Sequence, residues 1–278
     1  MSQITYTPFP SGFGARVDFD PACVPTPEQA REIAAIFHDH LFVYFPRADI
    51  TPLQLADFVV AFGQPDGPHG RLASTSEYAG IRIVENVQGG QFGPRSNSEM
   101  DWHSDRFYNP VAAGILQSVV VPQEGGDTSL ANMYAALDEM PADLRQAIEG
   151  RAIKQDAVFD DQGRPGIRPG GVVIADVATS RGVATPIVQL HPRSGRPYLY
   201  LGNRLNAHVE GLSGQDSDAL LDRLYAHVNQ PRFHYRHHWS PLELLMYDNR
   251  CCMHRRETFD PNAKRKLVAA VVDTSDFL

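Results

Sequence analysis

The chain has 278 residues, 42% of them apolar, with 25 Lys and Arg against 33 Asp and Glu, a formal net charge of −8. Basic and acidic residues are interspersed, so no positive tract exists to neutralise phosphates, which argues against a nucleic-acid partner and against a polyanionic substrate. No apolar run has the length of a bilayer span, and Met1 to Pro10 has neither a basic nor an apolar leader region, so a cytoplasmic protein without membrane attachment is expected.

In chain order, Pro25-Thr26-Pro27-Glu28 opens a predicted helix through Ala35 and Phe37, with Thr26 as N-cap and Pro27 in the first turn. Leu41 to Phe45 reads as a buried strand, and Thr51 to Phe62 as a second helix that ends at Gly63. Strands are expected at Ile81 to Val84, Ile115 to Val121, Ile187 to Leu190, Tyr198 to Leu201, Phe233 to Trp239, Leu244 to Tyr247 and Leu267 to Val272. Pro141 to Ile148 and Asp216 to Val228 read as helical insertions. Cys23, Cys251 and Cys252 are an odd number and make no disulfide framework. No repeat, low-complexity tract or long linker divides the chain, so one domain over residues 1–278 is expected: mostly β, with packed helices. Gly89 to Met100 and Gln162 to Gly182 are Gly-rich or polar, and read as surface loops or as lids over a site.

Two short segments carry the chemistry. Trp102-His103-Ser104-Asp105 and Met253-His254 together supply two imidazoles and a carboxylate, a set that favours non-haem Fe(II) with open coordination positions. Residues 103 and 105 share a face on a strand, so a strand ending there presents both to one ion. His-x-Asp alone arises by chance in a chain with 11 His. Its company narrows the reading: Arg265 follows His254, and the Gly125-Gly126-Asp127-Thr128 turn follows Asp105.

With these motifs the chain resembles the Fe(II)- and 2-oxoglutarate-dependent dioxygenases grouped with taurine dioxygenase and dichlorophenoxyacetate dioxygenase. The matching stretches run nearly end to end. They include Trp102 to Asp105, Val120-Val121-Pro122 leading into Gly125 to Thr128, His191-Pro192-Arg193-Ser194-Gly195-Arg196, Asp248-Asn249-Arg250 before His254, and Arg265. The resemblance implies a double-stranded β-helix, or jelly roll, with His103, Asp105 and His254 as iron ligands at its open end. It also implies that Arg265 pairs with the distal carboxylate of 2-oxoglutarate, a task suited to a planar guanidinium, and that Thr128 hydrogen-bonds the same group. The implied reaction consumes 2-oxoglutarate and O2, releases succinate and CO2, and hydroxylates a small organic substrate, cleaving it where the new hydroxyl sits beside a heteroatom. Asp105 fills the ligand position that halide takes in related halogenases, which favours hydroxylation. Family members often form homodimers or homotetramers.

The substrate is less legible. Both named relatives carry a second arginine four residues after the 2-oxoglutarate arginine, gripping the substrate's anionic group; here that position is Ala269. This departure puts taurine and phenoxyacetate in doubt: either the substrate lacks an anion there, or another cation supplies the charge. Arg106, Arg71 and Arg95 are the candidate cations, and His69 stands near a substrate histidine of taurine dioxygenase. Trp102 and Tyr108 either line the pocket or pack. Tyr247 replaces a common Trp, and Asn249 and Arg250 are expected to brace the strand bearing His254. His237 and His238 face opposite sides of a strand, which makes a second metal site at His234, His237 and His238 improbable. Two competing classes remain: a metal-dependent hydrolase or isomerase, which needs neither Arg265 nor 2-oxoglutarate, and a non-catalytic jelly-roll binding protein, which metal stabilises without turnover.

Overall fold

The computed structural model describes residues 4–65, 80–86, 100–159, 165, 173, 176–273 and 277–278. In chain order these form β1 (Thr5–Pro8), β2 (Ala15–Asp18), α1 (Pro27–His40), β3 (Phe42–Phe45), α2 (Pro52–Val60), β4 (Ile81–Glu85), β5 (Met100–His103) and β6 (Ala113–Val120). Next come β7 (Thr128–Asn132), α3 (Met133–Asp138), α4 (Ala142–Ile148), β8 (Ala152–Gln155), β9 (Val183–Pro186), β10 (Val188–Leu190), β11 (Pro197–Leu199) and β12 (Ala207–Val209). The last are α5 (Gly214–Val228), β13 (His234–His237), β14 (Leu244–Asp248), β15 (Cys252–Arg256) and β16 (Lys266–Val272). His69, Arg71, Arg95 and most of the two expected lid segments lie outside the described residues.

The first two helices start where their sequence chemistry places them. Thr26 and Thr51 each accept a hydrogen bond from the third helical N–H, while Gln29 and Gln54 reach back to the cap backbone, with Pro27 and Pro52 in the first turn. Each box satisfies donors that a helix start otherwise leaves orphaned.

A seven-stranded sheet, in the order β1-β2-β3-β14-β6-β16-β4, and a four-stranded sheet, β13-β7-β15-β5, form the frame. Alternation along the strands of the larger sheet divides its residues between two cores. Val43, Phe45, Leu244, Met246, Val268 and Ala270 pack with Ile33 and Phe37 of α1 and with Leu55 and Phe58 of α2. Phe42, Leu245 and Tyr247 point the other way, into a core shared with Leu130, Ala131 and Met253 of the smaller sheet. Burial on both faces explains why β3, β14 and β16 are almost continuously apolar. The result is the expected mostly β, jelly-roll architecture with helices packed outside it.

Candidate active site

β5 ends at His103, and β15 lies antiparallel beside it with His254 directly opposite His103 before a register shift. This pairing places the two imidazole rings 4.1 Å apart, centroid to centroid. Asp105, two residues past the strand end, brings Oδ2 to 3.9 Å from His254 Nε2. One ligand atom from each of His103, Asp105 and His254 lies within 4.8 Å of the others.

The donor set suits a divalent cation. His103 Nδ1 is 2.8 Å from the Asp101 carbonyl, which holds the proton on Nδ1 and leaves the Nε2 lone pair available. Burial, then repulsion from His103, holds His254 down at about 3, against the pull of Asp105, so it is neutral at pH 7. Burial works to raise Asp105, but His254, Arg82 and His103, with the Tyr247 hydrogen bond, prevail and hold it at about 2. Two imidazoles and one carboxylate face a common point, the ligand set of non-haem Fe(II).

Asp105 is held from two sides. Tyr247 Oη donates to its Oδ2 at 2.7 Å. Asn249 clamps its backbone, accepting from the Asp105 N–H at 2.7 Å and donating to the Asp105 carbonyl at 2.9 Å. The expectation that Asn249 braces the strand of His254 is thus corrected: its amide fixes the loop that carries Asp105. Arg250 acts at a distance from the site, pairing with buried Asp248, which His191 also contacts at 2.9 Å.

A cavity of about 190 Å³ adjoins the triad, lined in part by Arg82, Leu116, Thr128, Tyr247, Arg265, Leu267 and Ala269. Arg265 is not a surface cation of the Lys264-Arg265-Lys266 cluster but is buried, with Nε donating to the Gly126 carbonyl at 2.9 Å. Gly126 has φ +70°, and a Cβ there would press on the Arg265 side chain and Pro122, so the Gly-Gly turn makes room for the guanidinium it anchors. Burial, then repulsion from Arg256, lowers Arg265 to about 9, partly offset by Asp127. A buried cation in this state favours an incoming carboxylate. Thr128 Oγ1 accepts from Trp239 Nε1 at 3.0 Å. Since an indole N–H only donates, the Thr128 hydroxyl keeps its own proton for another acceptor.

Ala269 lines the cavity, whereas Arg106, half-buried with φ 51°, is not among its lining residues. Trp102 packs: its Nε1 donates to Asn229 at 2.9 Å and Arg255 lies over its ring. Tyr108 is exposed against Phe107. His234, His237 and His238 go to separate partners, the Val228 carbonyl, Glu243 and Asp127. Sequence reasoning missed Arg82, Trp239, the Asn249 clamp and the contact by which Gly126, though singled out with its turn, seats Arg265. A signal existed for Arg82, a charge inside the otherwise apolar Ile81-Arg82-Ile83-Val84 strand.

The family model described as "Taurine catabolism dioxygenase TauD, TfdA family" matches residues 5–271. The chain belongs to this family. It is 31% identical over 262 residues to the alpha-ketoglutarate-dependent 2,4-dichlorophenoxyacetate dioxygenase of Cupriavidus pinatubonensis, covering 86% of each chain. It is 31% identical over 243 residues to the (S)-phenoxypropionate/alpha-ketoglutarate-dioxygenase of Delftia acidovorans, covering 81% of this chain and 80% of that one. Among solved structures, AAD-2 in complex with Mn(II) and N-oxalylglycine is similar with a TM-score of 0.80 and 27% identity, all of each chain being covered. A taurine dioxygenase from Burkholderia xenovorans shares the fold at a TM-score of 0.76 and 24% identity, over 98% of this chain and 89% of that one. This family member is therefore an oxidoreductase, a 2-oxoglutarate-dependent dioxygenase that uses Fe(II), 2-oxoglutarate and O2 on a small organic substrate. The hydrolase, isomerase and binding-protein alternatives gain no support from these likenesses.

Proposed function

We propose that His103, Asp105 and His254 hold Fe(II), that Arg265 and Thr128 hold the distal carboxylate of 2-oxoglutarate, and that the product is a hydroxylated small molecule. The observation that carries this reading is the cross-strand pairing of His103 with His254, with Asp105 beside them and a buried arginine in the same cavity. When bound, iron, 2-oxoglutarate and O2 supply the oxidising chemistry, with loss of succinate and CO2. The chain's own part is placement. Tyr247 and Asn249 fix the carboxylate of Asp105, Trp239 orients the Thr128 hydroxyl, and Gly126 holds Arg265 by Nε, leaving its terminal nitrogens for the cosubstrate. Val84, Leu116 and Leu267 keep the walls between these polar groups apolar, which limits water around the reacting centre.

Hydroxylation beside an ether or amine heteroatom gives an unstable product that fragments, so either an alcohol or a cleaved molecule leaves the site. The aryloxy-acid substrates named for two relatives make ether-bearing acids the first compounds to test. We further read the chain as one domain over residues 1–278 and as a cytoplasmic protein that forms a homodimer or homotetramer and has no nucleic-acid partner. Among the described residues no helix is long and apolar enough to cross a membrane.

The test is release of CO2 from carboxyl-labelled 2-oxoglutarate in air with Fe(II), measured with an ether-acid panel. Turnover that is abolished in His103→Ala and Asp105→Ala supports the assignment; release that persists in both variants overturns it.

A further inference from the structure

Four arginines line the cavity, against Asp105 as its one described acid. Three of them have evident engagements. Arg265 is tied to the Gly126 carbonyl, Arg255 bonds Asn229 at 3.0 Å and Glu257 at 3.2 Å, and Arg256 packs over Phe259. For Arg82 no such engagement is found among the described residues: no hydrogen bond or ion pair ties its guanidinium to a carboxylate there, and its Nε is buried without a hydrogen-bond partner.

Its position is specific. β4 and β16 are antiparallel, and Arg82 is the direct register partner of Ala269. Directly opposed residues share a face with Cβ atoms about 5 Å apart, so on this face Arg82 has only a methyl group as its cross-strand neighbour, and both residues line the cavity. Residues 265, 267 and 269 follow one face of β16, and Arg265 and Ala269 are roughly 13 Å apart along the strand at its usual rise. The cavity therefore has a cation near each end of this row, with Leu116, Val84 and Leu267 between them. One end is set for the cosubstrate by Arg265 and Thr128. Arg82 lines the same cavity as Asp105, Tyr247 and His254, the residues of the proposed iron site and its phenol partner.

We propose that Arg82, reaching across the strand pair over Ala269, anchors the anionic group of the substrate, so that the site takes a small molecule with one carboxylate or sulfonate on an apolar body. This rests on the assignment of Arg265 to 2-oxoglutarate. A guanidinium with an unpaired Nε donor in an apolar wall matches an oxyanion and discriminates against the neutral analogue, which leaves that donor unpaired.

The experiment is equilibrium dialysis of three acid and methyl-ester pairs, phenoxyacetate, 2,4-dichlorophenoxyacetate and phenylacetate, against the Fe(II)-loaded protein under anaerobic conditions with 2-oxoglutarate. At least one acid is expected to bind tenfold or more tightly than its ester. Arg82→Met, which keeps the apolar stem, is expected to bring that ratio within twofold, and Arg82→Lys to retain part of it. Arg82→Met/Ala269→Arg, which moves the cation one strand over, is expected to restore it. The half-saturation of 2-oxoglutarate is expected to stay within twofold in Arg82→Met. Equal acid and ester binding in the intact protein overturns the proposal, as does a ratio that survives Arg82→Met. A loss of 2-oxoglutarate affinity in Arg82→Met as large as the loss of acid affinity assigns Arg82 to the cosubstrate and also overturns it. Failure of 2-oxoglutarate to bind the intact protein is a separate result, and contradicts the dioxygenase roles rather than the acid preference.

Discussion

Tyr247 Oη donates to Asp105 Oδ2 at 2.7 Å and lies 3.4 Å from His254 Nε2, so one phenol touches two members of the proposed metal triad. Gly114, opposite Tyr247 on β6, permits this: a Cβ there would overlap the ring. Burial, and then the negative charge of Asp105, push the phenol well above its ordinary range, so it stays a donor. Tyr247→Phe is expected to weaken Fe(II) or Mn(II) binding by about 10–100-fold, the usual effect of losing an outer partner of a metal ligand. A metal titration with unchanged affinity would contradict this.

Asn249 is fully buried and its amide makes two hydrogen bonds to the backbone of Asp105 and one to the Val111 carbonyl. Asn249→Ala leaves those backbone groups without partners and is expected to cost about 2–4 kcal/mol, from several net hydrogen bonds and a desolvated donor. Urea unfolding checks the stability, and metal binding should weaken in parallel because the Asp105 loop is freed. A change below about 0.5 kcal/mol, the range of a neutral surface substitution, contradicts the clamp.

How much of this was legible in the sequence depends on the range of the signal. Thr26 and Thr51 with their prolines place both helix starts, because caps act within one turn. The apolar runs at residues 41–45, 244–247 and 267–272 read as strands because both faces are buried. β5, β7 and β15 are obscured for the opposite reason: Met100–His103, Thr128–Asn132 and Cys252–Arg256 carry polar site residues where apolar ones would announce a strand. His103, Asp105 and His254 stood out by type and spacing, whereas Arg265 and Thr128 were singled out by the family resemblance. The partner of Ala269 could not be read, because the Arg82–Ala269 register joins residues far apart in the chain. The Asn249 clamp on Asp105 is equally remote, and the expectation of a local brace was the wrong range.

Gly126→Ala tests the seat of Arg265. The new methyl group would stand 3.1 Å from Arg265 Cδ and 3.0 Å from Pro122 Cγ, on a backbone with φ +70°. The left-handed backbone alone costs about 1–2 kcal/mol. Half-saturation by 2-oxoglutarate is expected to rise about tenfold, equivalent to about 1.4 kcal/mol, as Arg265 is displaced. Metal binding without cosubstrate should change little. Unaltered 2-oxoglutarate dependence contradicts the proposed seat.

Asp248 supplies the pH prediction. Burial opposes its ionisation, but hydrogen bonds from Arg250, and then from His191, hold the carboxyl far below its usual range. Its folded-state affinity for a proton is depressed, so its contribution is fully present above the unfolded value of about 3.9 and is lost as pH falls below it. Asp248→Asn is expected to cost about 3–5 kcal/mol at pH 7, since it leaves buried Arg250 without its counter-charge. The variant should also lose less stability than the intact protein between pH 4 and 3, judged by urea midpoints. Parallel losses would contradict the account.

The central claim, that His103, Asp105, His254 and Arg265 form one site for iron and 2-oxoglutarate, is tested most directly by anaerobic visible absorption. Fe(II) and then 2-oxoglutarate are added to the intact protein, His103→Ala and Arg265→Ala. The account predicts a metal-to-ligand charge-transfer band that needs both additions, is absent in His103→Ala, and in Arg265→Ala forms only at much higher 2-oxoglutarate. No band in the intact protein with iron shown to be bound, or a band indifferent to Arg265, would contradict it.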